Sequence, residues 1–298
     1  MKTVVSGASG FIGSALVPFL TANGYQVARL ARSKPEPGAK DIHWDPSAGT
    51  IDVPALEGCE AAVHLAGENV AGRWTSEKKA RIRNSRVEGT HLLAEALSEL
   101  KNKPKVLVCA SAVGFYGNRG AERVREESGP GSGFLAEVCQ EWEAAAKPAK
   151  AKGIRVVHLR TGIVLSANGG ALAKMLLPFK MGVGGVMGSG EQYWSWISID
   201  DMLGVIQFAL TNPQLNGPVN SVSPNPATNR EFTKTLGRVL SRPTIFPMPA
   251  FVVRTVFGEM GEEMLLASTR AEPARLRISG YSFKHPVLEG ALRHVLRK

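Results

Sequence analysis

The sequence predicts an α/β protein with a doubly wound parallel sheet and a smaller C-terminal substrate lobe. Three observations lead there: short apolar runs alternate with amphipathic segments through the first 165 residues, a glycine-rich loop sits between a strand and a helix, and the rhythm changes afterwards.

The apolar runs 2–6, 26–30, 61–66, 105–111 and 155–159 have the length and composition of buried strands. Between them, 11–22, 76–100 and 134–152 have helical length and period, so the order is β-α-β-α and the sheet should be parallel. After residue 165 come a Gly-rich segment, MGVGGVMGSG at 181–190, and Pro-rich loops at 223–228 and 242–249. Helical patterns at 229–240 and 250–267 and a last helix after a short turn complete the chain. This divides it into 1–165, to which 191–222 returns, and a lobe over 166–298, with no internal repeat.

Gly7-Ala8-Ser9-Gly10-Phe11-Ile12-Gly13 is G-x-x-G-x-x-G, directly after the strand TVVS and directly before a helix. Glycines permit the tight turn and let the backbone approach a pyrophosphate, whose charge is met by the N–H groups and dipole of the helix N-terminus. That context marks a Rossmann dinucleotide site and explains an N-terminus that otherwise looks like a secretory leader. Pro18 falls inside the helix and should cost a hydrogen bond to the Ser14 carbonyl. The second strand, QVARLAR, lacks the acidic residue that grips a ribose 2′-hydroxyl and offers Arg29, Arg32 and Ser33 instead. Arginine suits a 2′-phosphate, so NADP(H) is expected over NAD.

The bulk numbers fit a soluble globular protein. A chain of 298 residues, 44% apolar, can bury a substantial core, and its longest apolar stretches are broken well short of the roughly 20 residues that a membrane span needs. Three cysteines, Cys59, Cys109 and Cys139, are odd in number and lack C-x-x-C spacing. They suggest neither disulfides nor a metal site and place the chain in a reducing, cytoplasmic setting. The net charge of +10 favours anionic partners in general. Its densest patch, Lys78, Lys79, Arg81, Arg83 and Arg86, has helical spacing and no interleaved aromatic residues, which argues for a solvated face over a nucleic-acid stripe. A small-molecule substrate is expected as the partner, with a homodimer kept open.

With the loop, Arg32, HLAG (64–67), SAVGFYG (111–117) and WISIDD (196–201), the chain resembles the extended short-chain dehydrogenase/reductases, the NAD-dependent epimerase/dehydratase family, along its whole length. It is similar in particular to the epimerase-like branch with a C-terminal domain of unknown function, through AGENVAGRW (66–74), SRVEGT (85–90), FLAEVCQEWEAAA (134–146), RTGIVLS (160–166), LLPFKMGVGG (176–185) and GYSFKHP (280–286). The resemblance implies that Leu65, Ala66, Gly67 and Ala110 line the nucleotide, that Arg86 reaches towards cofactor phosphates, and that Ile163 lies near the nicotinamide. Many relatives have His where this chain has Ser198.

In that family a Ser or Thr and a Tyr hold the substrate oxygen, and a Lys four residues after the Tyr lowers the phenol pKa towards neutrality. Here the resemblance places Ala112, Phe134 and Val138 at those three positions. Candidate substitutes are Tyr116 and the neighbouring Ser111, with Tyr193, Glu137 and Cys139 further off. Two readings follow: an NADP(H)-dependent oxidoreductase that reduces a small molecule without the usual relay, or a catalytically weak or inactive NADP(H)-binding regulatory protein.

Overall fold

Strand β1 (Lys2–Ser6) opens the fold because Thr3, Val4, Val5 and Ser6 are small or β-branched and can be buried on both faces of a sheet. The computed structural model describes residues 1–33 and 41–298. Helix α1 (Phe11–Ala22) follows, then β2 (Gln26–Ala31), β3 (Ile42–Asp45), β4 (Thr50–Ile51), the single turn α2 (Val53–Leu56) and β5 (Ala61–His64). The long α3 (Ser76–Glu99) leads to β6 (Val106–Ala112), a 3-10 turn at Val113–Tyr116 and β7 (Arg123–Val124). Next come α4 (Phe134–Ala144), α5 (Lys147–Ala151), β8 (Arg155–Thr161), β9 (Ile163–Leu165) and α6 (Gly170–Lys180). The chain continues through β10 (Tyr193–Trp194), β11 (Trp196–Ser198), α7 (Ile199–Thr211), β12 (Gly217–Ser221) and β13 (Ala227–Thr228). It ends with α8 (Asn229–Leu240), α9 (Ala250–Phe257), a π-helical turn at Gly261–Leu266, β14 (Arg270–Ala271), α10 (Ala274–Ile278) and α11 (Leu288–Leu296).

The main sheet runs β12-β8-β6-β5-β1-β2-β3-β4, parallel except for the β3–β4 edge pair. The order reverses at β1: the chain first builds outwards through β2, then returns to the other side through β5. The crevice beyond the carboxyl ends of β1 and β5 is therefore the topological switch point, where such sheets bind ligands. One face is covered by Leu16 and Leu20 of α1 and Val205, Ile206 and Ala209 of α7, packed on Val5, Val63 and Val108. The other is covered by Leu93 and Leu97 of α3 and Ala149 of α5, packed on Val4, Ala62 and Leu107. Each such Leu contributes about 1.5–3 kcal/mol by leaving water. Among the described residues, no helix is long and apolar enough to cross a membrane.

Several expected elements differ in detail. The strand expected over 61–66 stops at His64, because the N–H groups of Leu65 and Ala66 turn onto the Ser6 hydroxyl at 3.1 and 3.3 Å. The helix expected over 134–152 is two, since Pro148 stands in the first turn of α5 and starts a new helix. The pattern at 250–267 breaks at Gly258, whose φ of +61° ends α9 before the π-helical turn. Strand β12, GPVNS, has little strand-like composition, and its place at the sheet edge tolerates Pro218.

Candidate functional site

The loop between β1 and α1 is shaped by backbone crowding that only glycine allows. Gly7 has φ +66°, and a Cβ there would lie 2.8 Å from the backbone of Leu65 and Ala66. A Cβ on Gly13 would collide with the Gly7 carbonyl oxygen, so α1 is drawn directly against the loop. Gly10 closes the turn by donating its N–H to the Gly7 carbonyl at 2.9 Å. The result presents the N-terminus of α1, with Ser9 and Gly10 exposed and no side-chain cap, over the switch point. An uncapped helix N-terminus facing an open crevice fits a diphosphate. Phe11 packs its ring against Gly169 and Gly170, bringing the start of α6 to the same loop.

The far wall is set by Ser6. Its hydroxyl pairs with His64 Nδ1 at 2.7 Å and accepts the N–H groups of Leu65 and Ala66. That turns the chain away from the sheet and leaves Leu65 and Ala66 half-buried and Gly67 exposed at the crevice. His64 is fully buried, and burial, reinforced by the charge of Arg86, pushes its pKa down to about 4. It is a neutral structural imidazole. Ala110, on β6, and Ile163, at the start of β9, are both half-buried.

Arg86, expected to reach towards cofactor phosphates, lies behind the 65–68 loop. Its Nη1 donates to the carbonyls of Glu68 at 3.0 Å and Ile82 at 3.1 Å, with the guanidinium over the Trp142 ring. An added Cβ on Gly67 would sit 3.3 Å from its Cζ, so Arg86 stands directly behind the 65–68 loop. It positions that loop from within the protein. On β2, Arg29 is held by Asp41 through two bonds of 2.8 Å, whereas Arg32 and Ser33 are exposed at the strand end. Arg29 is thus engaged in an ion pair, and Arg32 is exposed at the strand end.

The two candidate proton donors, Tyr116 and Ser111, are both engaged by neighbouring side chains. Tyr116 is fully buried, donating its hydroxyl to Asn220 Oδ1 at 2.7 Å and accepting from Arg160 Nη1 at 3.1 Å. Burial raises its pKa despite the adjacent Arg160. Ser111 donates to Glu143 Oε1 at 2.8 Å, and Arg160 grips the same carboxylate at 2.8 and 2.9 Å. In register, Ser111, Arg160 and Asn220 lie side by side on β6, β8 and β12. Both hydroxyls therefore belong to an internal polar network under the end of the sheet. Glu137 is exposed and paired with Arg83 at 3.2 Å, Cys139 is buried with its thiol pKa pushed up to about 12 by burial, and Tyr193 lies on β10 beneath the Arg270 guanidinium.

Phe134 and Val138, expected at the Tyr and Lys positions, are both buried. They are buried in a cluster with Trp74, Ile82 and Met260, and Phe134 meets Trp74 edge to face at 5.2 Å. The start of α4 is fixed from outside: Glu263 accepts the N–H groups of Phe134 and Leu135, each at 2.8 Å. Gly133, at φ +104°, lets that carboxylate approach, since a Cβ there would lie 2.9 Å from Glu263 Oε1. Ser198 caps α7, accepting the Asp201 N–H at 3.0 Å. Sequence reasoning missed Glu143, Arg160, Asn220 and Glu263. RTGIVLS and FLAEVCQEWEAAA contained the first two, but nothing in those strings says that the charges pair.

This geometry, a glycine cradle at the switch point of a doubly wound sheet, defines a dinucleotide-binding protein of the Rossmann class. The chain belongs to the NAD dependent epimerase/dehydratase family, whose pattern covers residues 3–222, and residues 248–295 match a domain of unknown function, DUF1731. It is 43% identical over 289 residues to the epimerase family protein Mb2239 of Mycobacterium bovis, covering 97% of this chain and 95% of that protein. The crystal structure of human epimerase family protein SDR39U1 with NADPH is similar over 100% of both chains, at TM-score 0.91 and 37% identity. A nucleoside-diphosphate sugar epimerase from Corynebacterium glutamicum aligns with 99% of this chain and 58% of its own, at TM-score 0.83 and 36% identity.

Proposed function

We propose that the protein is an NADP(H)-dependent oxidoreductase that reduces a small electrophilic acceptor without a side-chain proton relay. The observation that carries this reading is the pairing of a complete phosphate cradle with a wall from which every usual proton donor is missing or withdrawn: Ala112, Phe134 and Val138 are apolar, and Ser111 and Tyr116 are tied into the internal network. The cradle fits the dinucleotide because the close approaches at Gly7 and Gly13 leave no room for a Cβ and leave N–H groups at the α1 terminus to bind phosphate. Arg32 favours the 2′-phosphate, and the NADPH in the human SDR39U1 structure supports the same choice. When bound, the nicotinamide supplies hydride.

The residues of this chain orient and desolvate. Leu65, Ala66, Ala110 and Ile163 offer half-buried apolar surface to a flat ring, and Phe11 locks α6 onto the loop. An apolar wall holds a planar acceptor but donates no proton, which suits activated double bonds or quinone-like acceptors, whose reduction asks little of an acid. The three cysteines are buried free thiols, which supports a reducing, cytoplasmic setting. The test is NADPH oxidation across a panel of quinones and activated enones. Slow, acceptor-dependent consumption is expected; tight NADPH binding with no consumption above buffer would favour the regulatory reading, to which the same apolar wall lends support.

A further inference from the structure

Two motifs have no part in the nucleotide site: WSWISIDD, which starts α7, and the tail segment GYSFKHP. They meet at Asp201. Its carboxylate accepts the backbone N–H of Lys284 at 2.7 Å and of His285 at 3.0 Å, the Ser198 hydroxyl at 2.8 Å and the Tyr281 hydroxyl at 3.3 Å. Asp201 is buried, so this web fixes the backbone of His285 against the first turn of α7. The preceding residue, Asp200, points outwards and meets His294 Nε2 of α11 at 3.1 Å. The His294 ring stacks on His285 with centroids 4.1 Å apart and planes at 24°.

We propose that Asp200, His285 and His294 form a divalent transition-metal site, with Zn²⁺ as its occupant, which clamps the C-terminal tail and α11 to α7. One ligand atom from each of the three lies within 4.8 Å of those of the other two. Around a tetrahedral Zn²⁺, with ligand distances of about 2.0–2.2 Å, ligand atoms stand roughly 3.4 Å apart. Closing the difference requires side-chain rotations that open the imidazole stack. Two imidazoles and one carboxylate form a borderline donor set that selects zinc-like cations over Mg²⁺ or Ca²⁺, and partial exposure leaves room for water as the fourth ligand. His285 has its main chain held by Asp201, and Asp200 and His294 project from helices, so the donors are carried on fixed backbone. Asp200 lies more than 80 residues before the two histidines, and the three form no familiar metal-ligand spacing, which is why sequence reading predicted no metal.

The inference is independent of the nucleotide reading and is tested on the full chain. Chelator-treated protein is titrated with Zn²⁺ against a chromophoric chelator, and with Co²⁺ while visible d–d bands are followed. One equivalent bound in the micromolar range or tighter is expected. Asp200→Asn, at a half-buried position, and His294→Ala, at an exposed one, should each weaken binding by at least ~10-fold, since even indirect partners of metal ligands cost that much. His91→Ala, which removes an exposed His–Glu pair elsewhere, should match the parent. Stoichiometric binding unchanged in both variants, or no binding, overturns the proposal. Zinc-edge anomalous diffraction gives an answer that does not depend on variant folding: a peak among the three side chains supports it, and zinc elsewhere or nowhere refutes it.

Discussion

Arg160 and Glu143 meet through two parallel hydrogen bonds, 2.8 and 2.9 Å, with the guanidinium 4% exposed. Burial alone would lower the pKa of Arg160, but the hydrogen bonds and charge of Glu143 outweigh it and raise it. The arrangement couples β8 to α4, because Glu143 lies near the end of that helix and Arg160 on the strand. Removing one partner strands the other as a buried charge, at about 3–5 kcal/mol. Glu143→Ala should therefore lower stability by about that much in urea unfolding, and Arg160→Met together with Glu143→Leu should recover a large part of it. A loss under ~1 kcal/mol for the single variant would show the pair to be well hydrated.

The glycine cradle makes a prediction about binding. In Gly13→Ala the added methyl group would overlap the Gly7 carbonyl oxygen and force α1 off the loop. NADPH affinity, read by nicotinamide fluorescence, should fall by more than ~10-fold, because a displacement of even 1 Å at such a contact is costly. Gly58→Ala, with positive φ but open space, should leave affinity unchanged while costing a little stability.

Specificity should reside in Arg32. It is exposed at the end of β2, whereas Arg29 is already held by Asp41. Arg32→Glu should lower NADPH affinity by ~10-fold or more and leave NADH affinity unchanged or improved, since the carboxylate repels a 2′-phosphate and accepts from a 2′-hydroxyl. A constant NADPH/NADH ratio in the variant would remove Arg32 from the site.

Much of the fold was legible because it is written locally: α1 and α8 begin and end where the hydrophobic period and flanking residues place them, and the loop 7–13 announces itself by spacing. The divisions at Pro148 and Gly258 were missed because each lies inside a continuous helical period, which dominates a window reading. The site was legible in its phosphate half only. The roles of Tyr116, Ser111 and Arg86 depend on partners 18 to 104 residues away in sequence: Glu68 for Arg86, Glu143 for Ser111 and Asn220 for Tyr116. Local pattern carries no information about such pairings, and an alignment position says where a residue sits, not which way its side chain turns.

Restoring the missing relay should fail for a physical reason. Val138 is buried among Trp74, Ile82, Phe134 and Met260, so Val138→Lys would place an ammonium group in an apolar cluster. The cost is ~4 kcal/mol or more, or the lysine stays neutral. Phe134→Tyr with Val138→Lys should be markedly destabilised in thermal unfolding and gain no acceptor reduction. A folded, more active double variant would show that the cluster accommodates the charge and that a relay can be restored at this wall.

Buried His64 sets an acid limit. Its folded pKa of about 4 lies below the ordinary value of 6.5, so between these pH values the unfolded chain binds a proton that the native protein refuses. Stability is then fully present above about pH 6.5 and is lost as pH falls towards 4, by ~3 kcal/mol at most for this group. Burial lowers the pKa of His158 in the same direction, adding to the loss. Urea unfolding followed from pH 7 to pH 4 should show the decline, and His64→Gln should start lower, having lost the ring packed on Trp44, but fall less steeply. Parallel pH profiles for the parent and the variant would mean that His64 is protonated in the native protein, and its bond to Ser6 would then need the opposite proton assignment.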